Sequence, residues 1–425
     1  MKNSRIAFLL MTFAIVQQLH AQTIGNDTLI SVFSLTPQVG NLKDTTTTVI
    51  LPDSSLKYER ILLHYGLDQP PGGWDPWDRI GYVRVFTQTD TFEIARIMTP
   101  YSKACSWIID VTDFRSILTG SVNINSFILF YASTGQGYLV SMSLQFIGGN
   151  PLKEAYAIKN LWKNDVFNRW EYGNYQNPLA DHLLPHRILI DPQAEEVRVK
   201  INLTGHGQGN TDNAAEFCNK THQLTIDSAA SIPHNLWRAN CGTNPCSPQS
   251  GTWQYNRAGW CPGADVIPWE ADITSFVIPG DSITLSYVPL PYRNYCSPTD
   301  SNCVNGITCT DCNYNSNGHV MPWYLMQSQI VFYHQVNLIS GIKQLPFSLF
   351  SIAPNPVHST VKIKSKNGTR EKFRLSVFDM LGKCTFHADD LWDESEIDMS
   401  TFEKGVYLVK IGWDNYIQTA KIIKF

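Results

Sequence analysis

"GYLVSMSLQF", residues 137 to 146, puts Tyr138, Val140, Met142, Leu144 and Phe146 on one side of the chain and Leu139, Ser141, Ser143 and Gln145 on the other. Successive side chains of an extended chain face opposite ways, so this period of two predicts a half-buried antiparallel strand. The same period recurs at Val197, Val199, Ile201 and Leu203, and at Ile283, Leu285 and Tyr287. Clusters of Gly, Pro, Asn or Asp bound each run and mark turns. Helical periodicity is scarce. "DVTDFRSILTG", 110 to 120, is the best short helix, with Thr112 or Asp113 as its cap and Gly120 as its stop. The fold class expected is all-β, built of sandwiches.

At the amino end Lys2 and Arg5 precede an apolar run from Ile6 to Val16, and a short polar stretch closes at Ala21. The run is too short to cross a bilayer, so residues 1–21 read as a signal peptide cut near Ala21 and Gln22. Nine of the ten cysteines lie between Cys105 and Cys312, with Cys384 alone in the tail. In an exported chain these are disulfide candidates. A net charge of −4 with no run of Lys or Arg excludes nucleic acid as a partner.

Two seams divide the rest. "IGGNPLKEA", 147 to 155, ends a first sandwich over 22–150, and a second follows over 151–338. A Pro-punctuated linker at 339–350 leads to a small β-sandwich over 351–425, with alternation through Phe373, Leu375 and Val377 and through Tyr407, Val409 and Ile411. That last segment resembles the C-terminal sorting domain of type IX secretion cargo. The Pro-Asn-Pro at 354 to 356, the "FDMLGK" turn and the "GVYLVKI" strand carry the likeness. The resemblance implies an immunoglobulin-like tail, export through the periplasm and outer membrane, and a secreted or surface-held product.

Three blocks carry the candidate chemistry: "GGWDPWDR" at 72 to 79, "LTGHGQGNTDNAAEFCNKTH" at 203 to 222 and "NRAGWCPG" at 256 to 263. Asp78 and Glu216 are carboxylates set beside aromatic residues, an environment that raises a carboxyl pKa by desolvation and suits it to proton transfer. Arg79 and Arg257 can orient acids or hold an oxygen-rich ligand. Trp77, Phe217 and Trp260 offer faces on which a sugar ring can stack. Asp75-Pro76 reads as a turn former.

Together these blocks resemble the peptide-N-glycosidase F family. "WDRIGYVRV", "RIMTPY" at 96 to 101, "IDVTDFRSILTG" at 109 to 120, "AAEFC" at 214 to 218 and "NRAGWCPG" match its motifs in order. The resemblance implies two tandem antiparallel eight-stranded jelly-roll-like sandwiches, related in fold to copper monooxygenases, with the active site between them. It implies Asp78 as principal catalytic acid and Glu216 as its companion through a water. Arg79, Arg257 and Trp260 would bind substrate, and Phe217 and His206 join them as binding candidates. The implied reaction is hydrolysis of the asparagine-glycan amide bond in N-glycosylated proteins or glycopeptides, and no cofactor is expected; nothing in the sequence suggests more than a monomer.

The chain also departs from that pattern. The family's third carboxylate is missing, since no Asp or Glu lies between Phe114 and Lys153. A family tryptophan is replaced by His206. A pocket that binds glycans without cutting them is therefore the alternative. His206 and His222 are too few for a copper site, so no metal is expected. Cys261 is expected to pair with Cys241 or Cys246, leaving the other for Cys218. Cys296, Cys303, Cys309 and Cys312 are expected to form two disulfides in an Asn-rich insertion in preference to a zinc knuckle.

Overall fold

The computed structural model describes residues 23–295 (except 132, 134 and 209), 321–335 and 350–425 (except 366–371, 381–382 and 414–415). The expected signal peptide, most of the expected linker, and Cys296, Cys303, Cys309 and Cys312 lie outside the described residues. Two compact units are present, residues 1–335 and 336–425. Among the described residues every element is a strand or a short 3-10 turn.

The first unit holds two sandwiches in tandem. In the first, Leu56–Asp68 and Gly137–Gly148 run antiparallel at the centre of a five-stranded sheet, flanked by Thr28–Val39 and Cys105–Asp110. The facing sheet orders Asp44–Leu51, Gly120–Ile128, Ile80–Phe86 and Thr91–Met98. Tyr138, Val140, Met142, Leu144 and Phe146 are all buried between the two, as their spacing requires. In the second sandwich Trp323–Gln335 pairs with both Lys153–Lys163 and Glu196–His206, and His186–Leu189, Ser282–Val288, Lys220–Ile226 and Ala230–Leu236 form the facing sheet.

The expected helix at 110 to 120 is a correction. Only Thr112–Phe114 is helical, as a single 3-10 turn, and Asp110 Oδ1 accepts from both the amide and hydroxyl of Thr112. Gly120 already belongs to the next strand. Phe114 and Leu118 are buried, so packing onto the sandwich decides this segment over helix propensity.

The two sandwiches share a core of their own. Ile80, Tyr82, Met98, Phe127 and Leu129 from the first meet Val166, Trp260, Val266, Trp323 and Leu325 from the second. Each buried side chain of this size contributes about 1.5–3 kcal/mol. The backbone also crosses the seam: Met98 N–H donates to Ala264 O at 2.9 Å, Gly263 N–H to Met98 O at 3.0 Å and Val266 N–H to Arg96 O at 2.8 Å. The loop after "NRAGWCPG" thus extends the edge strand that follows "WDRIGYVRV".

Beneath that pairing lies a buried ion pair. Arg96 Nε donates to Glu93 at 2.8 Å, and its Nη1 donates to Thr204 Oγ1 at 3.0 Å and Leu325 O at 2.9 Å on the second sandwich. Burial raises the Glu93 pKa, and Arg96 opposes the rise.

In the second unit, Phe350–Ala353, Thr360–Ser365 and Ser395–Asp398 form one sheet and Cys384–Leu391, Phe373–Phe378, Gly405–Trp413 and Tyr416–Lys424 the other. Phe373, Leu375, Val377, Tyr407, Val409 and Ile411 make up much of its core.

Candidate active site

Asp78 sits where "GGWDPWDR" enters the strand Ile80–Phe86. Asp75 Oδ1 accepts from the Trp77 amide at 2.9 Å, an Asx turn that aims the next residues. Thr99, from the "RIMTPY" block, clamps the same segment: its hydroxyl accepts from Arg79 N–H at 2.8 Å, and its amide donates to Arg79 O at 2.8 Å. Asp78 is left at the seam with a side chain 17 % exposed.

Glu216 arrives from the other sandwich, with a side chain 15 % exposed. Its Oε2 accepts from Gly207 N–H at 3.1 Å, and its backbone is pinned by Ala258 N–H at 2.8 Å. Gly259, at φ +81, lets the neighbouring turn pass so close that a Cβ there would lie 2.4 Å from Leu203 O.

Arg257 joins the two acids. Its Nε donates to Glu216 Oε1 at 3.2 Å, and its Nη2 lies 3.7 Å from Asp78 Oδ2. Its Nη1 donates to Thr252 O at 3.0 Å and Tyr255 O at 2.7 Å, and Nη2 also donates to Thr252 Oγ1 at 2.9 Å. Four of its five N–H donors are thereby hydrogen-bonded and the fifth faces Asp78. The Arg257 side chain is 1 % exposed and its guanidinium lies over the rings of Phe217 and Trp260, 4.8 Å from each.

A hydrogen-bond chain closes the arrangement. Tyr101 OH donates to Asp78 Oδ2 at 2.9 Å and lies 3.1 Å from Thr252 Oγ1, which accepts from Arg257. Gly251, at φ +71, permits the loop to lie flat on the Tyr101 ring, since a Cβ there would be 2.9 Å from it. Burial of Glu216 is the main cause that pushes its pKa up to about 7. Arg257 opposes the rise and Asp78 adds to it.

The sequence-expected residues therefore separate into two groups. Asp78, Glu216 and Arg257 come together. Arg79 turns away from Asp78 and pairs with Asp75, at 2.9 Å and 3.0 Å, keeping Nη1 donors unengaged among the described residues. Phe217 and Trp260 are 1 % and 4 % exposed, so neither offers an open face to a sugar, and His206 is 7 % exposed. Trp77, in contrast, is 58 % exposed beside Asp78. Tyr101 and Thr252 escaped the sequence reading, although "RIMTPY" already contained the first.

Two disulfides are present among the described residues. Cys241 pairs with Cys261 within the second site loop, and Cys105 pairs with Cys246 across the seam. The pairing expected between Cys246 and Cys218 is thus corrected: the loop carrying Cys246 lies against the first sandwich, where Lys103 Nζ also donates to Cys246 O at 3.1 Å and Pro248 O at 2.9 Å. Cys218 is buried in the second sandwich. Among the described residues no cluster of His, Cys, Asp and Glu can hold a metal. His222 lies 3.1 Å from Tyr324 OH and accepts from Leu290 N–H at 2.8 Å.

Residues 174–305 match the family model described as peptide-N-glycosidase F, C terminal, and residues 351–424 match the secretion system C-terminal sorting domain, which marks the chain for export and for secretion or surface attachment. The chain is 28% identical over 227 residues to peptide-N(4)-(N-acetyl-beta-D-glucosaminyl)asparagine amidase F of Elizabethkingia miricola. That match covers 50% of this chain and 62% of the relative. The solved structure of PNGase F, a glycosylasparaginase from Flavobacterium meningosepticum, superposes with a TM-score of 0.61 at 22% identity, over 73% of this chain and 97% of that one. PNGF-II superposes with a TM-score of 0.53 at 15% identity, over 72% of this chain and 65% of that one. The shared fold is the pair of β-sandwiches.

Proposed function

We propose that this exported protein is a peptide-N-glycosidase-type amide hydrolase that cleaves the bond between an asparagine side chain and the first sugar of an N-linked glycan. The observation that carries the reading is Arg257, buried and in reach of an acid from each sandwich. Hydrolysis of an amide needs a base for the attacking water, hydrogen bonds to the oxygen that gains charge, and a proton for the departing amine. Glu216, with a pKa near neutrality, has the strength a general base needs, and both its oxygens already accept hydrogen bonds as a carboxylate's would. Asp78 faces the same place and, held by Tyr101, orients the amide nitrogen.

Water gives a proton to Glu216 as it adds to the amide carbon, the C–N bond breaks as Glu216 returns that proton to the nitrogen, and the nitrogen leaves on the sugar as a glycosylamine while the protein keeps an aspartate. Arg79 has donors for the carbonyl or for sugar hydroxyls, and the exposed Trp77 is the face on which a sugar can stack. Arg257, its donors engaged, holds the acids in place and is not a substrate ligand. The substrates are N-glycosylated proteins or glycopeptides, and the type IX machinery is the export partner that the tail implies. The chain acts as a monomer built of a sandwich over 22–150, a sandwich over 151–338 and the sorting tail.

The test is to incubate the mature protein with a denatured N-glycoprotein in water enriched in the heavy oxygen isotope and to follow the glycosylated asparagine by mass spectrometry. Conversion to labelled aspartate, abolished in Asp78→Asn, is the expected result. The absence of any acid between Phe114 and Lys153 favours one other reading, a surface protein that binds glycans without cutting them. Retention of the glycoprotein with no labelled aspartate would establish it.

A further inference from the structure

Six side chains form one continuous stack that ends at the proposed site. Arg169 lies over Trp323 at 4.6 Å, and Trp323 stacks on His206 at 4.6 Å with 27° between the planes. His206 lies against Trp260 at 5.3 Å and 31°. Trp260 and Phe217 each lie against the Arg257 guanidinium at 4.8 Å. The sheet dictates the middle of the stack, because His206 and Trp323 are direct partners at the ends of two paired strands. Arg169 is exposed, whereas Trp323, His206, Trp260, Arg257 and Phe217 are all buried.

His206 has no face left for a substrate. The ring is 7 % exposed, it packs against two indoles, and Nε2 lies 2.9 Å from Thr204 Oγ1. That hydroxyl accepts from Arg96 Nη1, so its own hydrogen is free to point at Nε2. Burial, and after it the charges of Arg96, Arg169 and Arg257, disfavours a cation on the ring. A neutral ring is what the place accepts.

We propose that His206 is a positioning residue: as the middle ring of this stack it holds Trp260, and through Trp260 it fixes the Arg257 guanidinium between Asp78 and Glu216. Trp260 is tied at its edge by Nε1 donating to Gly205 O at 2.7 Å, but that bond alone leaves the ring free to tilt. Contact with His206 and with the Arg257 guanidinium opposes the tilt, since a gap of even a fraction of an ångström forfeits much of the contact energy. With His206 cut back, Trp260 leans into the space and the Nε of Arg257 leaves Glu216. The catalytic consequence rests on the hydrolase reading, but the geometric one does not.

The test compares His206→Ala with His206→Phe, which restores a neutral ring without its nitrogens. A misplacement of about 1 Å in a catalytic array costs on the order of a hundredfold in rate. His206→Ala is expected to lower kcat by roughly that factor with KM nearly unchanged, and His206→Phe to recover most of the loss. Recovery absent in His206→Phe, with KM raised in both variants, would mean that the ring nitrogens meet substrate and would overturn the proposal, as would full activity in His206→Ala. Trp323→Leu, which removes the next ring outward, is expected to act in the same direction and serves if His206→Ala does not fold.

The Arg257 Nε–H signal in nitrogen-15 NMR, identified by its loss in Arg257→Lys, separates this from the functional reading. It is expected to be sharp and slowly exchanging in the wild type and His206→Phe and broadened in His206→Ala. A sharp signal in all three overturns the positioning role, whereas a wild type that fails to hydrolyse glycopeptide overturns the hydrolase reading alone.

Discussion

Arg79 closes on Asp75, four residues back, and leaves its immediate neighbour Asp78 to Tyr101 and Arg257. The Asp75 side chain is fully buried and Arg79 is 19% exposed, so this pair belongs to the architecture of the turn. Asp75→Asn is expected to lose about 2–3 kcal/mol of stability, the worth of a charged hydrogen bond removed from a buried place. Asp78→Asn is expected to leave the melting temperature within a few degrees of wild type while hydrolysis disappears. Calorimetry beside the isotope assay distinguishes the two aspartates.

Glu216 predicts a pH dependence with a definite sign. Its folded pKa, about 7, lies above the 4.5 of a free glutamate, so the folded chain holds a proton that the unfolded chain gives up between those values. Its contribution to stability is therefore complete below pH 4.5 and is lost as pH rises through 7. Glu216→Gln is expected to melt higher than wild type at pH 8, by about 1–3 kcal/mol, and to show no gain at pH 4.5. As the base, Glu216 also predicts a wild-type rate that climbs through pH 7 to a plateau. Rate profiles and melting curves across pH 4.5 to 9 check both.

The bridge between Cys105 and Cys246 spans 141 residues of sequence. Replacing both by serine is expected to cost about 2–4 kcal/mol of stability. Hydrolysis is expected to fall as well, because the same loop carries Thr252 and Arg257. Denaturant unfolding of the double variant, with and without reductant, tests this, and reductant is expected to bring the wild type toward the variant.

His222 and His234 are buried, and burial lowers their pKa values to about 3 and about 4 from 6.5. The unfolded chain takes up these protons first on acidification. Their contribution is thus intact above pH 6.5 and is lost as pH falls toward 4, by about 3 kcal/mol for each. In Glu216→Gln, which lacks the opposing titration of that carboxyl, the melting temperature is expected to hold from pH 7.5 to 6.5 and to fall from there to pH 4.5.

The strands were legible wherever one face of a sheet is buried and the other wet. The runs through Tyr138, Val197, Ile283, Phe373 and Tyr407 all lie within observed strands. The segment at 110 to 120 was misread because Phe114 and Leu118 share a spacing with a helix although a sandwich buries them. At the site, the meeting of Asp78, Glu216 and Arg257 was readable only through family resemblance, since the residues lie up to 179 positions apart in the chain. Local pattern gave no hint of how Cys105 pairs, because nothing near it says that a loop of the other sandwich passes there. The burial of Phe217, Trp260 and His206 was equally hidden: an aromatic beside an acid looks the same in sequence whether it faces a sugar or a guanidinium.

The link from Cys105 to Cys246 has a meaning for timing. Sulfur atoms join only after the polypeptide has left the reducing interior of the cell. Translation thus yields a precursor whose halves are not yet stitched, and passage through an oxidising space finishes the assembly. The route outward is part of how the molecule matures, and a copy that never leaves stays unsealed.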